Sequence, residues 1–219
     1  MFIDIEKILS QKKSDKAYPH KYGLLYNLIF TSQYAKKNKP LSVLEIGVNR
    51  GYSLEAWGAL DEVDKVVGVD SYVKAILNSD GTRQPPRPVR GQRAEGRVRM
   101  QKWLQSKSTK DKNKFNVEFL DAYLEKTINF ISNKYGQFDI IIDDGPHTWE
   151  SQEFFLKNYN RLLKDNGVLI CEDVEYKHIE SILKIRDECN LFIFDLRWNC
   201  KDPITFNKCK DEMIIIREK

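Results

Sequence analysis

The stretch LSVLEIGVNRG (41–51) decides the fold. Its first seven residues form a short apolar run that ends in glycine, a pattern typical of a strand buried on both faces. GYSLEAWGAL (51–60) then predicts a short helix, and KVVGVDS (65–71) predicts a second buried strand with an acidic residue near its end. A buried strand, a glycine turn, a helix and another buried strand indicate a βαβ unit with parallel strands.

Strands and helices continue to alternate through most of the chain. The last two predicted strands, LFIFDLRW (191–198) and EMIIIRE (212–218), are joined without a helix, so we expect them to be antiparallel neighbours. The sequence therefore predicts an α/β fold, a doubly wound seven-stranded sheet with an antiparallel C-terminal hairpin. The remaining predicted strands are 116–121, 138–145 and 167–173, and the remaining predicted helices of this region are 122–136, 149–163 and 178–189.

The chain begins with a helical segment. Apolar pairs recur at helical spacing between Lys21 and Lys36, and Asn38-Lys39-Pro40 ends that pattern. We therefore expect an N-terminal helical segment over residues 1–40 and one α/β domain over residues 41–219.

A basic insertion separates the second and third predicted strands, over residues 72–115. Residues 83–110 carry nine Lys or Arg side chains against a single acid, Glu95, and therefore a net charge of +8 in a chain whose total is +4. We expect it to be irregular at first and helical near RMQKWLQS (99–106). Three interpretations stay open: a solvated loop, a lid that grips an anionic substrate, and a nucleic-acid contact. Trp103 is the only aromatic residue of 83–110, too few for stacking bases.

The composition excludes several classes of protein. Hydrophobic residues make up 41% of the chain, which suits one sizeable core, and no apolar run is long enough to span a bilayer. The N-terminal MFIDIEKILSQKK lacks the apolar centre of a signal peptide. The cysteines show no C-x-x-C pairing, and the one in an apolar run should be a buried thiol. These features predict a cytoplasmic protein with reduced cysteines: Cys171, Cys189, Cys200 and Cys209.

Ligand-binding residues are expected first in the turn after the first strand. Ligands of doubly wound sheets bind beyond the carboxyl ends of the strands, and glycines there let the backbone approach them. The turn holds Glu45, Gly47, Asn49 and Gly51, without the G-x-G-x-x-G spacing of dinucleotide sites. An acid two residues before the first glycine suits a cationic or amine-bearing ligand. A turn without a ligand is the alternative for the glycines alone.

Acids also end the next two strands. Asp70, followed by Ser71, ends the second strand, where a carboxylate can accept both hydroxyls of a ribose. Asp121, followed by Ala122, ends the third, near the expected place of an adenine edge. Each acid alone could instead cap a helix, but their succession favours a nucleoside site.

A second group of polar residues follows the fourth and fifth strands. Asp143 and Asp144 leave one strand, Glu172 and Asp173 leave the next, and His147 lies three residues after Asp144. Four carboxylates at one sheet edge repel one another unless a cation or protons intervene, and hard oxygen ligands suit Mg²⁺. His147 could accept a proton near neutral pH. Taken singly, these residues could instead cap turns and helices.

Four motifs together resemble the class I S-adenosylmethionine-dependent methyltransferases. They are VLEIGVNRG (43–51), VVGVD (66–70), FDIIIDDG (138–145) and LLKDNGVLICEDV (162–174). The resemblance implies a Rossmann-like fold with an antiparallel last strand. It implies S-adenosylmethionine as methyl donor, with Asp143 near the sulfonium end. The other implied cofactor-binding residues are Glu45, Gly47, Asn49, Gly51, Asp70, Ser71, Asp121 and Ala122.

A narrower resemblance concerns the acidic motifs. IDDGPHTWESQEFFLKNYNRLLKDNGVLICEDV (142–174) is similar to macrocin-type sugar O-methyltransferases, and cephalosporin-hydroxylase-like proteins share the pattern. SDKAYPHKYGLLYNLIF (14–30) resembles the helix that precedes their core. This resemblance implies a sugar-like or polyol acceptor, N-terminal helices that mediate homo-oligomers, and Mg²⁺. It implies His147 as the base and, as metal ligands, Asp144, Glu172 and Asp173.

This sequence departs from the family pattern at three places. Pro146 replaces a small polar residue, Asp165-Asn166-Gly167 replaces a proline-glycine turn, and the insertion 72–115 is long. Two other functions therefore stay open. One is an RNA or nucleotide methyltransferase that uses the arginines, which the D-D-G-x-H motif disfavours; the other is a non-catalytic or hydroxylase-like protein. His20 and His178 are expected to be structural, with His20 nearer the substrate mouth.

Overall fold

The sheet has seven strands in the order β3-β2-β1-β4-β5-β7-β6. All neighbours are parallel except at β7, which is antiparallel to both β5 and β6. The predicted doubly wound sheet with its antiparallel hairpin is therefore confirmed. A computed structural model describes residues 3–17, 20–71, 92–106, 113–189, 191–196 and 213–219. The strands are β1 (Leu41–Ile46), β2 (Val63–Val69), β3 (Phe115–Glu118), β4 (Phe138–Asp143), β5 (Leu163–Val174), β6 (Leu191–Asp195) and β7 (Met213–Glu218).

The helices of the described residues flank this sheet. Local signals explain several of their ends: Thr148 accepts a hydrogen bond from the Ser151 amide at one start, and Asn38 adopts a left-handed conformation at one stop. They are α1 (Ile5–Gln11), α2 (Gly23–Lys37), α3 (Tyr52–Gly58), α4 (Gln92–Ser106), α5 (Glu125–Tyr135), α6 (Trp149–Asn158) and α7 (Ile179–Cys189), with short 3₁₀ turns at Tyr159–Leu162 and Tyr176–His178.

Several predicted boundaries were wrong by a few residues. The helix predicted to reach residue 163 ends at Asn158 in a 3₁₀ turn, because β5 already begins at Leu163 and pairs with β4. The helix predicted from residue 122 begins at Glu125, because Leu124 is extended. Pairing with β2 ends at Glu118, so the third strand is shorter than the apolar run that predicted it.

The basic insertion contributes one helix to the described structure. The helix predicted near 99–106 begins earlier, at Gln92, and packs through Met100, which is fully buried, and through Trp103, which lies edge-on to Phe115 at 4.8 Å. Residues 72–91 and 107–112 lie outside the described residues, so the irregular first part predicted there is not described. The same holds for Cys200, Cys209 and the side chain of Cys189. Cys171 is free and fully buried, as predicted.

Two apolar layers cover the two faces of the sheet. Helices α1, α2 and α3 contribute to one layer, where Trp57 packs against Phe30 and Tyr26 at ring distances of 5.1 and 5.0 Å. Helices α5, α6 and α7 contribute to the other, which includes Phe155 and Tyr159. Burial of both faces explains the near-continuous apolar strands. Within the described residues, no helix is both long and apolar enough to cross a membrane.

Candidate active site

The carboxyl ends of three neighbouring strands bring the predicted acids to one edge of the sheet. β1 pairs with β4, and β4 pairs with β5, with Glu45 opposite Ile142 and Asp143 opposite Cys171. Asp144 extends this pattern, because its amide donates to the carbonyl of Ile46 at 2.8 Å. The predicted adjacency of the D-D and E-D motifs is therefore present in the sheet.

Strand alternation divides these acids between the two faces. Asp143 is buried on the face of α5 and α6, where the Tyr123 hydroxyl donates to it. Burial raises the pKa of Asp143 to about 7. Glu45 is fully buried on the opposite face, where the Trp57 indole donates to its Oε2 at 3.2 Å. Burial likewise raises the pKa of Glu45 to about 7.

A buried lysine from the N-terminal segment lies among the acids of that second face. The ammonium of Lys16 donates to Asp144 Oδ2 at 2.5 Å and to Glu172 Oε2, and lies 3.7 Å from Glu45 Oε1. Its side chain is 1% exposed. Burial alone would lower the pKa of Lys16, but the carboxylates of Asp144, Glu172 and Glu45 raise it well above its usual value. The surrounding carboxylates therefore favour the charged form of Lys16.

Two tyrosines of the same N-terminal region complete the contacts to the acids of β5. The Tyr26 hydroxyl donates to Glu172 Oε1, and the Tyr22 hydroxyl donates to Asp173 Oδ1 at 2.5 Å. Burial raises the pKa of both tyrosines far above the usual value, with further contributions from these carboxylates. Both hydroxyls therefore keep their protons and act as donors.

Asp144, His147 and Asp173 form the part of the cluster that can hold a metal ion. His147 Nε2 lies 3.7 Å from Asp144 Oδ1 and 3.7 Å from Asp173 Oδ2, and one donor atom from each residue lies within 4.8 Å of the others. His147 is 35% exposed, so this part opens to solvent. His20 Nδ1 lies 3.7 Å from the other Asp173 oxygen. Carboxylate oxygens with open positions suit a divalent cation such as Mg²⁺.

The backbone around this cluster is unusual for residues with side chains. His147 and Asp173 both have positive φ values, of 56° and 53°. Non-glycine residues adopt this left-handed region only where the surrounding structure holds them there. The two residues therefore depend on their neighbours for their positions at the candidate site.

The glycine turn after β1 lies beside the acids. Gly47 has a φ of 85°, and its amide donates to the carbonyl of Val69 at 2.9 Å. The Asn49 amide donates to Asp70 Oδ2 at 2.8 Å, so the carboxylate at the end of β2 is fixed against the turn. Gly51 has a φ of 77° and is packed against Met100 of α4.

Gly47 is the position of the turn that tolerates a side chain least. A Cβ there would overlap the carbonyl oxygen of Asp144, whereas a Cβ at Gly136, with φ 71°, would meet nothing within 4 Å. We expect Gly136→Ala to cost about 1–3 kcal/mol from backbone strain alone, and Gly47→Ala to cost about 1–3 kcal/mol more from overpacking. Urea unfolding of the two variants measures the difference, and equal stabilities would contradict the expected overlap.

The remaining predicted cofactor residues lie at the ends of β2 and β3. Asp121 Oδ1 accepts the Tyr123 amide at 3.0 Å, a contact within the turn, and the helix-capping alternative does not apply because Leu124 is the N-cap of α5. The carbonyl of Ala122 accepts the Tyr159 hydroxyl at 2.7 Å. Ser71, partly exposed, follows Asp70 directly. These contacts fix the edge of the sheet next to the glycine turn.

Several residues that organise the site had no predicted role. Lys16 and Tyr22 belong to the SDK…Y motif, which carried part of the resemblance. This motif could have indicated that both residues lie at the site. No comparable signal indicated Tyr123. His178, expected to be structural, stacks on Trp149 at 5.6 Å.

Arginines of the insertion contact the glycine turn and the end of the sheet. Arg99 donates to the carbonyl of Arg50 and, at 2.5 Å, to Glu55 Oε1, and its guanidinium lies 4.3 Å from the Tyr52 ring centre. Arg97 lies 5.0 Å from the ring centre of Phe119. These two arginines therefore make intramolecular contacts.

A protein-family model described as "Methyltransferase domain" matches residues 44–174. A search of curated protein sequences found no match. Among solved structures, MycE methyltransferase from the mycinamycin biosynthetic pathway, in complex with Mg and SAH, is 16% identical with a TM-score of 0.62. The match covers 100% of this chain and 55% of the MycE chain, so this chain spans about half the length of MycE.

Two further structures share the fold. The calicheamicin methyltransferase CalS11 is 12% identical with a TM-score of 0.54, and the match covers 98% of this chain and 91% of CalS11. A chain of a fibrillarin/Nop5p complex is 14% identical with a TM-score of 0.52, over 87% of this chain and 81% of the other. Such low identities establish the fold and leave the substrate open.

Proposed function

Because the chain belongs to the methyltransferase domain family, we propose that it transfers a methyl group from S-adenosylmethionine to a hydroxyl group of a sugar or of another small glycosylated or polyol acceptor. The observation that carries this proposal is the placement of Asp144, His147 and Asp173 beside the glycine turn, at one edge of the sheet. In sheets of this kind, ligands bind beyond the carboxyl ends of the strands.

The residues of the glycine turn fit an S-adenosylmethionine site. The turn at Gly47 has no room for a side chain, and Asp70 is held against it by the Asn49 amide. S-adenosylmethionine supplies an electrophilic methyl group when it is bound. We assign its binding to the turn and to the adjoining strand ends: Gly47, Asn49, Gly51, Asp70, Ser71, Asp121 and Ala122. The predicted Glu45 and Asp143 lie buried on the two faces of the sheet beside this turn.

The acidic cluster fits a divalent cation, because carboxylate oxygens from the ends of two neighbouring strands face one another. A bound cation would hold an acceptor hydroxyl and lower its pKa. Asp144 and Asp173 provide the carboxylates. His147, whose Nε2 lies 3.7 Å from both of them, is placed to take the hydroxyl proton as general base. The sequence motif adds Glu172 as a third carboxylate.

The names of two structural neighbours are in line with a small acceptor. MycE and CalS11 carry the names of natural-product methyltransferases, and the MycE structure contains Mg and SAH. In this chain, Arg97 and Arg99 of the basic insertion are used for contacts within the protein. The side chains of Arg83, Arg87, Arg90 and Arg93 lie outside the described residues, so these contacts concern Arg97 and Arg99 alone.

Titration of S-adenosylhomocysteine into the protein with Mg²⁺ tests the cofactor assignment. We expect micromolar binding, and we expect Asp70→Ala to weaken it about 10-fold or more, because the variant loses a carboxylate that accepts ligand hydroxyls. Asp61→Ala is the matched control, since Asp61 is exposed just before β2, at the other end of the strand. Absence of binding to the unmodified protein would contradict the proposed donor.

A further inference from the structure

We propose that Lys16 is a positioning residue that selects which carboxylates hold the metal ion: it occupies Glu172 and one oxygen of Asp144, and so leaves the other Asp144 oxygen and Asp173 for the cation. This inference rests on the proposed function. It departs from the sequence motif, in which Glu172 is the third metal ligand. Lys16 acts through the carboxylates, since its side chain is buried and cannot reach a methyl-acceptor substrate in solvent.

Both oxygens of Glu172 already have a donor. Oε2 accepts from the Lys16 ammonium, and Oε1 accepts from the Tyr26 hydroxyl. The side chain of Glu172 is 1% exposed, while those of Asp144 and Asp173 are 22% and 12% exposed. Glu172 is therefore a buried acceptor with a donor on each oxygen, and a cation at either oxygen would have to share it with Lys16 or Tyr26.

Asp144 and Asp173 each direct one oxygen toward the same position. Asp144 uses Oδ2 for Lys16 and has Oδ1 3.7 Å from His147 Nε2. Asp173 uses Oδ1 for the Tyr22 hydroxyl and has Oδ2 3.7 Å from the same nitrogen. The N-terminal segment thus contributes one donor to each acid and leaves this pair of oxygens facing His147.

Charge also favours a site of two carboxylates. The carboxyl groups of Glu45, Asp144 and Glu172 all lie around the buried Lys16 ammonium, which attracts each of them. Mg²⁺ typically binds one or two protein carboxylates and keeps several positions for water or substrate oxygens. A site of Asp144 and Asp173 meets this requirement, and it leaves His147 as a base.

Two neighbouring isosteric substitutions test the assignment. We expect Asp173→Asn to weaken Mg²⁺ binding, measured by calorimetry on the full chain, by about 100-fold or more, because a ligand charge is lost. We expect Glu172→Gln to change the Mg²⁺ affinity by about threefold or less, because the amide oxygen still accepts a hydrogen bond from Lys16. Equal losses in the two variants would overturn the inference while leaving the metal site of the proposed function in place.

The absorption spectrum of bound Co²⁺ tests Lys16 directly. Lys16→Met frees an oxygen of Glu172, so we expect Co²⁺ bound to this variant to gain a ligand and to show a changed spectrum. The double variant Lys16→Met/Glu172→Gln should return to the spectrum of the unmodified protein. A purely structural lysine would leave the spectrum of Lys16→Met unchanged, which would overturn the inference. If Lys16→Met does not fold, the comparison of Glu172→Gln with Asp173→Asn decides alone.

Binding of S-adenosylhomocysteine and of the metal ions to the unmodified protein distinguishes failure of this inference from failure of the proposed function. If S-adenosylhomocysteine binds but neither Mg²⁺ nor Co²⁺ does, the metal part of the proposed function fails, and the role of Lys16 in selecting metal ligands fails with it. If the metal binds and Glu172→Gln abolishes binding, only the role of Lys16 fails.

Discussion

Replacing Lys16 by methionine is expected to lower the free energy of unfolding by about 3–5 kcal/mol, because it leaves buried carboxylates without their cation. The ammonium lies within 2.5 Å of Asp144 Oδ2, contacts Glu172, and is 1% exposed. Such a loss is a large fraction of the stability of a typical domain, and urea unfolding followed by circular dichroism measures it.

The control for this prediction is Lys36→Met. Lys36 lies 3.7 Å from Glu218 with both side chains about half exposed, and exposed pairs of this kind contribute roughly 0–1 kcal/mol. The double variant Lys16→Met/Glu172→Gln should be more stable than Lys16→Met, because one buried charge is removed together with its partner. If Lys16→Met costs no more than Lys36→Met, the buried ion cluster does not stabilise the folded chain.

The sequence predicted the fold and the edge of the sheet where the candidate site lies. Continuous apolar runs such as 138–143 identify buried strands, and parallel strands joined by helices have their carboxyl ends at one edge. These rules are sufficient to place Asp144 and Asp173 at the ends of neighbouring strands. They depend on short-range patterns and on topology, both of which are visible in one sequence.

The organisation of the acids could not be predicted in the same way. Lys16 is separated by 128 residues from Asp144 and by 156 from Glu172, and no local pattern reports a contact of that range. Alternation along β5 did contain one usable signal. Glu172 follows Ile170 by two residues, so both side chains point to the same face of the sheet, the one covered by α2. The end of α6 was mispredicted for a related reason: Leu163 pairs with Phe138 of β4, and helical periodicity in the sequence does not show this long-range contact.

Replacing His147 by alanine is expected to lower kcat for methyl transfer by about 10²- to 10⁴-fold, the usual contribution of a general base. The affinity for S-adenosylhomocysteine should stay within about twofold, since the proposed cofactor residues include no contact to this ring. The measurement is S-adenosylhomocysteine formation with an acceptor found by screening glycosylated and polyol compounds. A kcat near that of the unmodified protein would exclude His147 as the base.

Alanine substitutions of two other histidines serve as controls for the His147→Ala result. His178 stacks on Trp149, and we expect His178→Ala to leave kcat within about threefold, because this stacking gives its ring a packing role. His20 is the stricter comparison, because its Nδ1 lies 3.7 Å from Asp173 Oδ1, on the oxygen that Tyr22 already occupies. His147 faces the oxygens that Asp144 and Asp173 leave for a cation and its hydroxyl ligand, whereas His20 does not. The loss of kcat should therefore follow His147→Ala, and a loss confined to His20→Ala would move the base to the N-terminal side of Asp173.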